Sequence, residues 1–211
     1  MRVPDLMFAR VFRGSLIATV AGLLIVSGIS AMATEHGKSL EGKQIAFLVA
    51  EGVQDAEALV PLGYVVNRGA QVTVVGTGSG LVTAYNSDMQ VRVDKAVDDV
   101  SPDDFDGLVI PGGRSPANLR EHKAVVDFAR KLTKAGKPIA AICHGPQVLI
   151  TAGVLDGKKA SGYSGIADEI RDAGAHYVDA AMVRDGNIIT SRLPKDLPDF
   201  CAAFEKALLG K

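Results

Sequence analysis

The stretch Pro138-Ile139-Ala140-Ala141-Ile142-Cys143-His144-Gly145-Pro146 decides how this chain folds. Its first half is an uncharged apolar run, the pattern of a strand buried on both faces of a parallel sheet. Its second half is a small-x-Cys-x-Gly turn that runs into residues 147–152, an apolar segment read as a helix. A nucleophile elbow has this layout: a sharp strand-to-helix turn that lifts one side chain above the sheet edge. Ala141 and Gly145 are small enough to permit the bend. Cys143 at a helix start meets backbone N–H groups and the positive end of the helix dipole, which is expected to lower its pKa. His144 stands beside it. A buried cysteine in a structural connection is the plain alternative; the agreement of strand, turn, Cys-His pair and helix favours the functional one.

Outward from the elbow, strands and helices alternate. Residues 44–50 read as a strand, and a loop at 51–54 leads into a helix from Asp55 to about Arg68, with Asp55 as N-cap and Gly69 as the stop. Residues 71–76 form a second strand, 76–80 a turn, and 81–93 a short pair of strands. The acidic segment 94–106 reads as a solvated face. Residues 107–110 form another buried strand closed by Pro111-Gly112-Gly113-Arg114, and 121–135 a helix stopped by Gly136. Beyond the elbow come a short strand near 159–161, a helix at 166–173, and a hairpin of 181–184 with 187–191 around Asp185-Gly186. A closing helix at 197–209 carries Cys201 as an ordinary core residue. This order predicts an α/β sandwich with a mainly parallel sheet, a nucleophile elbow and a C-terminal β-hairpin. Ligands of such sheets bind beyond the carboxyl ends of the strands. The loops 51–57, 111–114 and 143–146 are therefore expected to converge on one pocket.

Composition narrows the function classes. The chain has 211 residues, 47% hydrophobic and 22% charged, enough for one packed domain. A net charge of -1 without a basic cluster in the body gives nucleic-acid binding no electrostatic support. The two cysteines make no disulfide framework, and the four scattered histidines show no metal-ligand spacing, so neither metal nor cofactor is expected.

The first 33 residues stand apart. Arg2, Arg10 and Arg13 precede an apolar run at 14–29, followed by Ala31-Met32-Ala33, an A-x-A cleavage pattern. Together they read as a secretory signal peptide, with an uncleaved membrane anchor as the alternative. Either sends the body, residues 44–211, out of the cytoplasm, with a periplasmic location expected and residues 34–43 as a linker.

Several segments resemble the PfpI-type intracellular protease family, in the superfamily of the Parkinsonism-associated deglycase. They are 51–57 with its acid Glu57, Val109-Ile110-Pro111-Gly112-Gly113-Arg114, Ala141-Ile142-Cys143-His144-Gly145-Pro146-Gln147, Gly162-Tyr163, and Thr190-Ser191-Arg192-Leu193-Pro194 before Asp196-Leu197. Their order and spacing span about residues 43–209. The resemblance implies a flavodoxin-like fold close to that of class I glutamine amidotransferases, and homo-oligomers of at least two subunits. It implies activity without cofactor on small carbonyls or glycated proteins and peptides, in stress protection, with peptidase activity as the alternative. A redox-sensing or chaperone-like protein is the non-enzymatic one.

Under that resemblance Cys143 is the nucleophile. Glu57 approaches the sulfur, its pKa raised by burial and by that neighbour. His144 is the general acid or base. The backbone N–H groups of Gly113 and His144 form an oxyanion hole, and Gly112, Arg114 and Tyr163 line the substrate pocket. Side-chain contact between Cys143 and His144 is left open by their adjacency. One departure stands out. Family members proposed as proteases carry an acid just after the Gly-Gly-x-x-Pro segment, orienting the histidine across a subunit interface. Here that position is Ala117, followed by Asn118. A Cys-His pair without its orienting acid favours aldehyde or deglycase chemistry over peptide cleavage.

Overall fold

The computed structural model describes residues 39–211. The leader expected at 1–33 lies outside the described residues. Of the linker expected at 34–43, residues 39–43 are described, and they are seated on the fold. Leu40 is fully buried, its N–H donates to Arg68 O (2.8 Å), and Ser39 Oγ donates to Glu205 (2.5 Å). The body therefore begins a few residues earlier than the composition shift suggests. Among the described residues no helix is long and apolar enough to cross a membrane.

The chain runs β1 (Gln44–Leu48), α1 (Asp55–Val66), β2 (Gln71–Gly76), β3 (Gly80–Thr83), β4 (Gln90–Val93), β5 (Lys95–Ala96) and β6 (Gly107–Ile110). It continues through α2 (Ser115–Arg120), α3 (Lys123–Lys134), β7 (Ile139–Ile142), α4 (Pro146–Thr151), β8 (Lys159–Ala160) and α5 (Ala167–Asp172). It ends with β9 (His176–Tyr177), β10 (Met182–Asp185), β11 (Ile188–Ser191) and α6 (Leu197–Leu208). The main sheet has the order β10-β11-β7-β6-β1-β2-β5, and only the β10–β11 pair is antiparallel. The strand order reverses at β1, which sits between β2 and β6. Crevices at such reversals receive ligands in open α/β sheets.

Period-2 alternation sends neighbouring side chains to opposite faces. Ala46 and Leu48 join Ile139 and Ala141 in the layer under α3, α4 and α5. Ile45 and Phe47 join Ala140 and Ile142 in the layer under α1 and α6. Both layers are apolar, so β1, β6 and β7 carry almost no polar side chain. Cys201 lies on α6 within the second layer, 2% exposed.

Four details differ from the sequence reading. The cap of α1 is Gln54, whose side chain accepts the Glu57 N–H at 2.7 Å. Asp55 instead binds Asn86 N–H (2.8 Å) and Ser87 Oγ on the β3–β4 hairpin. The helix expected at 121–135 begins at Lys123, after a separate short α2. The acidic segment 94–106 contributes the edge strand β5, paired to β2. The C-terminal hairpin forms, its two-residue loop moved by one position to Gly186-Asn187 because Asp185 pairs with Ile188 inside the ladder.

Candidate active site

Three loops leave the carboxyl edge of the sheet side by side, after β1, β6 and β7. Backbone bonds stitch the first two together: Arg114 N–H donates to Gly52 O (2.8 Å) and Gln54 N–H to Gly112 O (3.1 Å). Gly52 N–H also reaches Thr83 O (2.8 Å), and Tyr85 N–H reaches Val53 O (2.7 Å), which fastens the β3–β4 hairpin beside them.

The third loop is the elbow. Cys143 has φ +61°, and among the described residues no other non-glycine residue has a positive φ. That conformation costs on the order of 1–3 kcal/mol and persists only where its surroundings fix it. Here Cys143 N–H donates to Ser191 O (3.0 Å), Tyr163 N–H to Cys143 O (2.9 Å) and Gly145 N–H to Ile142 O (2.7 Å). A Cβ at position 145 would lie 2.3 Å from Ile110 O, so only glycine fits the bend. Cys143 Sγ rests 3.3 Å from His144 Nδ1, so the adjacent side chains do touch.

Glu57 comes from the first turn of α1 and is fully buried. Its Oε2 accepts the Gly112 N–H at 2.8 Å, while Oε1 is buried without a hydrogen-bond partner. A Cβ on Gly112 would lie 2.6 Å from Glu57 Oε2, 2.7 Å from Cys143 Cβ and 2.9 Å from His144 N. Glycine at 112 is thus what lets the carboxyl and the elbow come together.

Burial raises the Glu57 carboxyl to about 7, against smaller downward pulls from Gly112 N–H and Cys143. Cys143 is pushed up to about 12, first by burial and then by the charge of Glu57; the backbone N–H groups of Gly113 and His144 act the other way. The expected lowering of the thiol is overturned. The elbow sinks Cys143 to 8% exposure beside an acid, and α4 behind it has only six residues. Two acids in contact release their protons as a pair, one readily and the second with difficulty.

Burial lowers the pKa of His144, with the charge of Glu169 opposing. A neutral imidazole results, able to accept a proton at Nδ1 when its ring proton is on Nε2. Its ring lies against Tyr163, centroids 4.9 Å apart. Tyr163 is 38% exposed, a pocket wall and not a core residue. Glu169 on α5 accepts from Gln147 Nε2 (2.8 Å) and from Arg120. Burial pulls its pKa up, but these partners outweigh it and hold the carboxyl below its ordinary value. A charged carboxylate near His144 therefore exists in this chain, although position 117 has none. No local motif marks Glu169, because its elbow partner lies on a different element.

A cavity of about 510 Å³ opens over the sulfur. Gly113, Cys143 and His144 form its floor, Gln147, Tyr163 and Leu193 its walls, and Gln54, Tyr85, Arg114 and Ala117 complete its lining. Glu57 lies behind Gly112, outside that lining. The structure thus brings together Glu57, Gly112, Gly113, Arg114, Cys143, His144 and Tyr163. Gln54, Tyr85 and Gln147 were not legible as site residues. Among the described residues no group of three or more His, Cys, Asp or Glu side chains is arranged to hold a metal ion.

Residues 43–207 match the family described as DJ-1/PfpI. The chain belongs to the DJ-1/PfpI family. It is 42% identical over 165 residues to a Pyrococcus horikoshii protein named deglycase PH1704, covering 78% of this chain and 99% of that one. It is 38% identical over 160 residues to protein/nucleic acid deglycase 2 of Escherichia coli, covering 75% and 93%. General stress protein 18 of Bacillus subtilis is 40% identical over 161 residues, covering 75% and 94%. The crystal structure of Drosophila melanogaster DJ-1beta superposes with a TM-score of 0.74 at 32% identity, covering 80% of this chain and 91% of that one. The parallel sheet and flavodoxin-like architecture are those of the DJ-1/PfpI family.

Proposed function

We propose that this chain is a cysteine-dependent enzyme of glyoxalase or deglycase type, acting on reactive carbonyls in stress protection. One observation carries this: a strained Cys143 on the floor of an open cavity, with a buried carboxyl and a neutral imidazole both beside its sulfur. The deglycase names of two relatives and the stress-protein name of a third support the activity and its setting.

With methylglyoxal, Sγ bonds to the aldehyde carbon as its C=O π pair moves onto oxygen. The thiol proton passes to His144 Nδ1 and on to that oxygen, giving a hemithioacetal. The N–H groups of Gly113 and His144 stabilise the oxyanion on the way. Ionised Glu57 takes the C–H proton of that carbon and returns it to the neighbouring carbonyl carbon, while His144 carries the hydroxyl proton of the first carbon to the oxygen of the second. The first carbon is thereby oxidised to a thioester and the second reduced to an alcohol. Water then forms the new C–O bond, the C–S bond breaks, and the thiol is restored. The sum is methylglyoxal plus water to lactate, with no outside oxidant. On a glycated thiol or amine, Sγ first replaces the carrier, which leaves with a proton.

Purified protein should form lactate from methylglyoxal, and Cys143→Ala should lose at least about a hundredfold of that rate. Undiminished turnover in that variant would remove the mechanism. Among the described residues no carboxylate hydrogen-bonds to His144, which weighs against the peptidase alternative. Peptide fragments released from a denatured protein would favour it.

A further inference from the structure

The cavity over Cys143 carries one fixed charge. Arg114 is its only lining side chain that is charged at every working pH, because burial holds His144 neutral. No aspartate or glutamate lines it. Arg92, Arg114 and Arg184 are the arginines of the body without an aspartate or glutamate partner among the described residues, and of these only Arg114 lines the cavity. Arg68 pairs with Glu205, Arg120 with Glu169, Arg130 with Asp127, Arg171 with Asp168, and Arg192 with Asp179 and Asp196. Among the described residues Arg114 has no carboxylate within ion-pair distance. The nearby acids are occupied: Glu51, which lines the adjoining recess with Arg114, accepts the Thr83 N–H (2.9 Å), and Asp55 is held by Asn86 and Ser87.

The side chain is nevertheless placed. Arg114 N–H is tied to Gly52 O, and its guanidinium stacks 4.8 Å from the ring of Tyr85. Stacking engages the face of a guanidinium and leaves its N–H edge for a planar, two-oxygen acceptor, which is the shape of a carboxylate. Arg114 and Tyr85 are exposed at the rim, while Cys143 is 8% exposed on the floor. An anion held by Arg114 would therefore belong to the part of the substrate farthest from the reacting carbon.

We propose that Arg114 selects substrates by a carboxylate on the carrier, so that the preferred molecule is the carbonyl adduct of a small carboxylate-bearing thiol or amine. This rests on the carbonyl activity proposed above and names its substrate class. Because the rim is wet, the preference is modest, about two- to fivefold.

The test compares methylglyoxal adducts of N-acetylcysteine, which has a free carboxylate, and of N-acetylcysteine amide, which does not. Wild-type kcat/KM should favour the first about two- to fivefold at low ionic strength, and the ratio should shrink with added salt. In Arg114→Gln the ratio should fall to near one, and in Arg114→Lys it should be intermediate. A wild-type ratio near one, with both adducts turned over, overturns the selectivity and leaves the activity standing. If neither adduct turns over, the activity itself fails. Calorimetric titration then decides the selectivity alone, using Cys143→Ala protein and unreactive S-acetonyl thioethers of the same two carriers. Equal affinity for the two thioethers overturns it; tighter binding of the carboxylate form, lost in Cys143→Ala/Arg114→Gln, supports it.

Discussion

At the scale of single residues, the site is defined by what Cys143 and Glu57 impose on each other. The fold keeps Cys143 at φ +61°, where any side chain is strained and glycine is not. Cys143→Gly should therefore be more stable than Cys143→Ala by about 1 kcal/mol in urea unfolding, although both lack the thiol. Equal stability would mean that the elbow relaxes once the sulfur is gone. Glu57 makes a second prediction. Its pKa rises from an ordinary 4.5 to about 7 on folding, so the folded state holds a proton that the unfolded chain has released. That contribution is fully present below about pH 4.5, is lost as the pH rises, and is gone above about 7. The difference is worth roughly 3 kcal/mol. Glu57→Gln has no proton to lose, so its stability relative to wild type should improve by that order between pH 4.5 and pH 8. Activity moves oppositely. The proposed proton transfer needs ionised Glu57, so kcat/KM should climb through about pH 7, a limb absent from the residual activity of Glu57→Gln.

At the scale of elements, the elbow works because α4 and α5 bring a second layer of side chains up to it. Gln147 on α4 holds Glu169 on α5, and the Glu169 charge supports protonation of a histidine that burial opposes. Glu169→Gln should lower the pKa of His144 still further, visible as an acid shift in its imidazole NMR titration. An unchanged titration would confine Glu169 to its bonds with Arg120 and Gln147. The strands behind these residues were readable because a strand buried on both faces is an unbroken apolar run, as at 107–110 and 139–142. The helix α2 was not readable. It has six residues with a proline in its first turn, and it stands because Ser115 Oγ accepts the Ala50 N–H deep in the fold. The edge strand β5 is two residues long, too short to show a period. Gln54 was hidden because Asp55 next to it is the more usual cap, and only the hairpin at Asn86–Ser87 draws that aspartate away. Cys143, His144 and the Gly112-Gly113 pair were legible because the strand-turn-helix and strand-turn patterns that place them are written in consecutive residues. The high thiol pKa was not, because the charge of Glu57 and the depth of burial arise from contacts distant in the chain.

At the scale of the whole molecule, the face of α1 away from the sheet is unsatisfied. Leu59, Val60 and Val66 are 51%, 45% and 46% exposed on one helix. Gly63 lies between them, and a Cβ there would meet nothing within 4 Å. Apolar side chains around a glycine let a second helix approach closely, and a stripe meeting its own copy across a two-fold axis buries both at once. The same helix carries Glu57 in its first turn, on the side turned toward Cys143. Pairing through α1 would thus stiffen the element that aims the carboxyl. The protein is accordingly expected to sediment as a dimer or larger at micromolar concentration. Leu59→Glu combined with Val66→Lys should shift it toward monomer and lower kcat more than it raises KM, because the cavity lining is untouched while the placement of Glu57 loosens. A double variant that stays dimeric would move the interface elsewhere. A monomer with undiminished kcat would show that each subunit holds its carboxyl in place unaided.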